Sequence, residues 1–468
     1  MIAWALRFSY FMAIGRNRHV RPVDRLMSGR LFMLIIGALL LSECQSLNGL
    51  DASTVVRPEQ FGAVGNGLQD DTDSVIQAIG AGRGGALELS AGAIYLISRT
   101  LEIAEKIHIR GGGILQAVPD IEARIGTRGN DSLIRFSESA AGSTINGLIV
   151  DLGGSGRNAV DVAASDMRIE NLLVRNYHKK FKADGNNHRQ SESGLRIRGT
   201  GNVVNGLHCE DMTTGVHDAV PRCVTVQGGA RDILLRNISG KNITGGIVVG
   251  SAMNLRIDGY DFRKFSDNGI YLLPGAVGTI ATNGYLENGR EPVVFKQDQG
   301  SRVSGLKIHN MGMSFGLENT SDAILEDVEI SHDNELMSRP AFIRSRPKNK
   351  LSRDVLIRRI AASMPLGDSL FSMGYGALEN VEINNSSFFL DVGADAGDGI
   401  RLVRQRRGQP LRLVDTHIQM EGPGASAVQR AVIFVPRESR GELRNICERC
   451  QVAVKNRKIA LQLQRRKP

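Results

Sequence analysis

The chain has 468 residues, 54 of them glycine and only 5% aromatic, with a formal net charge of +9. The basic excess favours an acidic partner, which uronate polysaccharide or nucleic acid would each supply. Single-stranded nucleic acid is held on aromatic stacking platforms that this composition lacks, so no nucleic-acid partner is expected.

The first 52 residues carry six Arg against three acids, leaving 52 basic and 46 acidic residues beyond them, so the excess does not depend on this segment. Residues 31–41, LFMLIIGALLL, are too short an apolar run to cross a bilayer but suit the hydrophobic region of a signal peptide. Met27-Ser-Gly-Arg30 in front of it makes a compact basic start. The expectation is a secreted or periplasmic protein, with residues 1–52 as the export segment, residues 53–468 as one domain, and no stable membrane span after processing. Leu41-Ser-Glu-Cys44 resembles a lipobox, but Glu43 stands where a small residue is expected; a lipoprotein or a retained N-terminal anchor is the alternative. Once Cys44 leaves, Cys209, Cys223, Cys447 and Cys450 remain, an even number compatible with disulfides outside the cytoplasm. With no second pair or His pair nearby, Cys447-Glu-Arg-Cys450 is weak evidence for zinc, and both pairs read as structural or free thiols.

From Phe61 the sequence reads FGAVGNGLQDDTDSVIQAIGAGRGGALELSAGAIYLISRTLEI. Asp70, Asp71 and Thr72 offer cap oxygens before an apolar pattern at Val75, Ile76 and Ile79, which predicts a short amphipathic helix ended by Gly80 to Gly85. Strands are expected at Ala86–Leu89 and Ile94–Ser98, where apolar residues alternate. This string resembles the entry segment of the pectate-lyase and polygalacturonase-like superfamily, in which FGA-GDG-DDT opens the domain. The resemblance implies an all-β fold, a right-handed single-stranded parallel β-helix whose N-terminal helix caps the open end of the coil.

After Ile103 a phrase recurs: a polar pair such as Asn-Gly, Glu-Asn or Arg-Asn, then a hydrophobic residue. It stands at Asn146, Glu170, Asn205, Arg236, Asp258, Asn283, Ser304 and Glu326, with successive gaps of 24, 35, 31, 22, 25, 21 and 22, and again at Glu379 and Arg444. A rung of three strands and three turns needs about that many residues, so the chain reads as one solenoid of about 12 rungs, expected to be a monomer. Helical repeats of similar period would need long helical windows, which this Gly-punctuated, β-branched text lacks. Tyr177–Arg189 and Arg339–Arg359 read as basic loops inserted between strands.

Alternation places Leu195/Ile197, Val224/Val226, Ile247/Val249, Ile270/Leu272 and Val293/Phe295 inside the coil. Their neighbours Arg196, Arg198, Thr225, Gln227, Val248, Tyr271 and Lys296 then face outward, with Arg196 and Lys296 four rungs, roughly 19 Å, apart. Asp161 and Asp267 lie near the same face, and His217, Asp218 and Arg222 just ahead of the Val224 strand.

Polygalacturonase-like enzymes carry an Asp-Asp pair, then Gly-His-Gly, then Arg-Ile-Lys on successive rungs. This chain has Gly245-Gly246-Ile247, Asn268-Gly269-Ile270 and Val294-Phe295-Lys296, so only the lysine matches. Inverting hydrolysis needs two carboxyls about 6.5–9.5 Å apart, which the glycines cannot supply. β-Elimination needs instead a base for the proton α to the uronate carboxylate, and cations for the charge that develops. Lys296 is the candidate base, activated by Arg196 or Arg198, and Tyr271 the candidate acid. His217 and Asp218 are further catalytic candidates, while Arg198, Arg222, Asp267 and Gln227 are expected to hold substrate. An alginate-lyase-like resemblance adds Glu291, five residues before Lys296, as a calcium (Ca2+) ligand. The leading expectation is a carbohydrate-active β-helix that acts on an acidic polysaccharide as a lyase or C5-epimerase. The alternatives are a non-catalytic polysaccharide-binding or envelope protein, and a hydrolase with relocated carboxylates such as Asp218 and Asp267.

Overall fold

A computed structural model of the chain describes residues 55–118, 132–179, 192–214, 220–333, 341–345, 351–395, 397–436, 443–455 and 457–465. The expected export segment lies outside these residues, as do His217, Asp218 and most of the 177–189 segment.

The fold is the expected right-handed parallel β-helix. Each circuit lays three strands against those of the circuit before, and among the described residues every strand pairing is parallel except a terminal one at Ala453–Lys458 and Val454–Arg457. On one face, Thr144 pairs Arg168, then Val203, Leu234, Arg256, Ile280, Arg302 and Ile324, steps of 24, 35, 31, 22, 24, 22 and 22 residues. These steps match the recurring phrase except around Asn283, where gaps of 25 and 21 become 24 and 22.

The reason lies in the bend that the phrase builds. Its turning residue adopts a left-handed conformation, which only Gly and, less readily, Asn or Asp tolerate. Gly147, Asn171, Gly206, Asn237, Gly259, Asn283, Gly305 and Asp327 fill this position in turn, all with positive φ. The three asparagines donate from Nδ2 to the residue before the glycine on the previous rung, Asn171 to Asn146, Asn237 to Asn205 and Asn283 to Asp258, at 2.7–3.1 Å. At Asn283-Gly284 the asparagine is therefore the bend, and the phrase is shifted by one residue. Gly284 answers a different need: a Cβ there would stand 2.1 Å from Cζ of the buried Tyr260 ring. The Glu379 phrase belongs to another bend, since Arg353 pairs Glu379, and the Arg444 phrase lies in a one-turn helix, Leu443–Ile446.

Helix α1 (Thr72–Ala81) buries Val75, Ala78 and Ile79 in the same apolar cluster as the coil interior and packs on strands Ile94–Ile97 and Leu101–Ile103. Asp70 Oδ1 accepts from the Thr72 N–H at 3.1 Å. Asp71 instead ties back the glycine loop, accepting from the Val64 and Gly65 N–H groups. The expected basic loop at 339–359 is in part strand, Ile343–Ser345 paired with Phe315–Leu317 and the start of Leu351–Pro365 paired from Ala377 on, and Arg358 and Arg359 donate to the buried Glu326 carboxylate at 2.7 and 2.8 Å. Both cysteine pairs are disulfides, and Cys209–Cys223 ties two faces of the coil together.

Candidate functional site

The outward candidates sit on the face made by strands Ser193–Ile197, Arg222–Val226, Gly245–Val249, Asn268–Leu272 and Glu291–Lys296. The ten residues predicted to point inward are all buried. The outward set is not one column. Arg196 aligns with Thr225, Val248, Tyr271 and Val294, whereas Lys296 pairs Glu318 and stands two residues further along the strand, in the line of Arg198 and Gln227. Alternation assigns a face; it does not say which of two outward positions on one strand continues a column.

Arg196 is also not an open surface cation. It is buried with Asp161, whose Oδ2 accepts from Arg196 Nη2 at 2.6 Å and from Arg198 Nη2 at 2.8 Å. Asp161 is itself fully buried, and a lone buried carboxylate is costly, so it holds both guanidiniums. The expected activation of Lys296 by Arg196 or Arg198 is thereby corrected: both cations answer Asp161, several rungs away.

Tyr271 and Lys296, by contrast, are brought together from adjacent rungs. Lys296 Nζ donates to Tyr271 Oη at 2.9 Å, and Glu318 Oε2 lies 3.8 Å from the same nitrogen. The Arg222 guanidinium stands 5.8 Å from the Tyr271 ring centroid and Lys296 Nζ 5.5 Å, so two cations flank one ring. Tyr271 and Lys296 are half-buried, open enough for a polymer to reach them.

Beside the pair runs a polar ladder. Arg222 pairs Gly245, and Asn268 pairs Glu291 in the same register. Arg222 Nη2 donates to Asp267 Oδ2 at 2.6 Å, and burial pulls this guanidinium below its ordinary value although Asp267 opposes that. Asp267 also faces Arg290 at 3.7 Å. Glu291 accepts from Asn268 Nδ2 at 2.7 Å and pairs with Arg344. With that cation on its carboxylate, the surroundings of Glu291 do not fit a calcium ion, and among the described residues no three His, Cys, Asp or Glu side chains gather as ligands. Gly245 leaves room for Arg222: a Cβ there would stand 2.0 Å from Nη1. The space that a side chain at position 245 would take is filled here by the guanidinium of Arg222, on the neighbouring rung.

Gln227 is half-buried in the line of Lys296, next to Arg198. The sequence reading missed Glu318, Asn268, Arg290 and Arg344. Glu318 was within reach, since the 22-residue step carries Lys296 onto it; Arg344 lies past a longer insertion whose length hides its register.

No protein-family model matches the sequence, and no curated protein matches it. Solved structures do resemble the fold. The tailspike protein of E. coli bacteriophage HK620, solved as a mutant with a pentasaccharide, superposes with a TM-score of 0.53 at 10% identity over 86% of this chain and 78% of its own. The catalytic domain of a GH87 alpha-1,3-glucanase, solved with nigerose, gives 0.49 at 11% identity over 86% of this chain and 68% of its own. A Geobacillus virus E2 protein, ORF18, gives 0.46 at 15% identity, and the chain spans 64% of its length. At 10% identity the likeness to the HK620 tailspike speaks for the fold alone, a parallel β-helix.

Proposed function

We propose that this chain is an exported β-helix protein that acts on an acidic polysaccharide by removing the proton α to a uronate carboxylate, with Tyr271 and Lys296 as the reacting pair. The observation that carries this reading is the 2.9 Å hydrogen bond from Lys296 to Tyr271 on an accessible face, joining two proton-transfer groups 25 residues apart in sequence. In elimination the uronate C5 proton passes to the pair. The C–H electrons delocalise toward the carboxylate, the C4–O4 bond breaks, and the pair returns a proton to the leaving oxygen. In epimerisation C4–O4 stays whole and a proton returns to C5 from the opposite side. Arg222, 5.8 Å from the ring, adds positive potential for the charge that develops.

Binding without turnover is the second reading, favoured by buried Val248 and Val294 flanking Tyr271 in its column and by the glycine at position 245. Hydrolysis through Asp267 ranks lower because Arg222 and Arg290 engage its two oxygens. Incubation with polygalacturonate, alginate and other uronate polymers separates these readings. A lyase raises the ultraviolet absorbance of unsaturated uronate together with reducing ends, and a hydrolase raises reducing ends alone. An epimerase changes only the ratio of uronate epimers. If no polymer is altered but one is bound, the binding reading replaces ours.

A further inference from the structure

Beyond the Tyr271–Lys296 pair, the same face continues toward the C-terminus and opens into two adjoining cavities. Tyr271 aligns with Val294, Gly316, Arg344, Ser372 and Arg404 in turn, so Arg404 lies five rungs, about 24 Å, along the coil. The larger cavity, about 780 Å³, is lined by Arg344, Asp368, Ser369, Ser372, Asp395 and Arg401, among others. The smaller, about 240 Å³, is lined by Arg401, Arg404, Gln405 and Phe434. Arg401 belongs to both.

The local backbone explains how two arginines three apart share one pocket. Arg401 pairs Val432, but Val403 already pairs Ile433, so the strand Gly399–Gly408 bulges at Leu402. Leu402 and Val403 are both fully buried, and the extra residue re-aims the strand so that Arg401 and Arg404 come to the same pocket. Among the described residues neither guanidinium has a hydrogen-bond or ion-pair partner, and Arg401 stands 5.9 Å from the Phe434 ring centroid. Among the described residues the smaller cavity carries no carboxylate in its lining. In the larger one the Ser369 hydroxyl is buried with no hydrogen-bond partner among the described residues, a polar group whose burial is costly without one.

We propose that these cavities form a second binding site for acidic saccharide units, apart from the reacting pair. A carboxylate or sulfate is taken by the Arg401 and Arg404 guanidiniums, whose forked donors match a pair of oxygens on either anion. The apolar face of a pyranose ring rests on Phe434, and a sugar hydroxyl reaches Ser369 in the adjoining cavity. The proposal rests on the acidic-polysaccharide reading and deepens it. A short oligosaccharide at Tyr271 cannot reach Arg404, whereas one polymer chain engages both sites, and linked sites multiply affinity.

The test measures binding of fluorescein-labelled polygalacturonate, alginate and chondroitin sulfate by anisotropy, for the mature chain and for an Arg401→Gln/Arg404→Gln variant. A Lys241→Gln/Lys307→Gln variant removes the same charge from exposed positions on another face. The Arg variant is expected to lose roughly tenfold or more in affinity for whichever polymer the wild type binds, the Lys variant much less, and the difference to shrink at high salt. Equal losses in both variants, or none in the Arg variant, overturn the second site and leave the acidic-polysaccharide reading standing. Failure of the wild type to bind any of the three overturns both. If the Arg variant alone loses affinity while Tyr271→Phe keeps full turnover, the second site stands and the reacting pair falls.

Discussion

The glycine at position 245 offers a quantitative check on how the site is built. Its φ is not in the left-handed range, so alanine fits the backbone, and the whole effect of Gly245→Ala is steric. The new Cβ would lie 2.0 Å from Arg222 Nη1, 2.8 Å from its Cδ and 2.9 Å from its Cζ, all well inside ordinary contact distance. The guanidinium must move by more than about an ångström, which breaks its 2.6 Å bond to Asp267. Arg222 is only 4% exposed. Breaking a buried ion pair costs about 3–5 kcal/mol, and since Asp267 is partly exposed and keeps Arg290, about 2–4 kcal/mol is expected here. Urea unfolding followed by circular dichroism measures this loss. A double-mutant cycle isolates the cause: with Arg222→Ala already present, Gly245→Ala should cost less than about 0.5 kcal/mol, since nothing remains to clash. An equal cost in both backgrounds would mean that the clash with Arg222 is not the cause.

Val75→Asp places an unpaired charge where α1 meets the coil and should cost several kcal/mol; unchanged thermal unfolding would mean that the helix is not a cap. Burial raises the Asp298 carboxyl to about 6, although Ser301 and Thr320 donate to it and oppose the shift. Its folded value thus lies above its unfolded one, and Asp298 weakens the fold as pH rises through about 6. Asp298→Asn should therefore gain on the wild type by about 1–3 kcal/mol at pH 7.5 and lose that advantage near pH 4, a difference read from unfolding midpoints at the two pH values. N-terminal sequencing of exported protein should find a start between Cys44 and Thr54; an intact Met1 or Met27 on a cytoplasmic form contradicts export.

What the sequence made legible follows from strong local constraints. Leu195/Ile197 through Val293/Phe295 alternate because one face of every strand meets the coil interior, and all ten are buried. The bends are legible because left-handed backbone narrows the choice to Gly, Asn and Asp. The outward face obeys no such filter. The sequence shows Arg196 as an outward cation but not that Asp161, 35 residues earlier, buries it, since that depends on register across a long insertion. The two-residue offset of Lys296 from Tyr271 was hidden for another reason, since alternation puts both outward positions of a strand on one face, yet it is this offset that lets the lysine reach diagonally to the phenol oxygen. Gly245-Gly246 read as a loss of acids; the structure shows Arg222 using the first space and the Phe262 ring the second.

The most direct measurement of the central claim is turnover of a uronate polymer by the wild type, Lys296→Ala and Tyr271→Phe, alongside their unfolding midpoints. Each substitution is expected to remove most of the turnover, on the order of 10²-fold or more, with the midpoint nearly unchanged, because both side chains are half-buried on the outer face and contribute little to the coil interior. Wild-type turnover in either variant, on a polymer that the protein does alter, would contradict it.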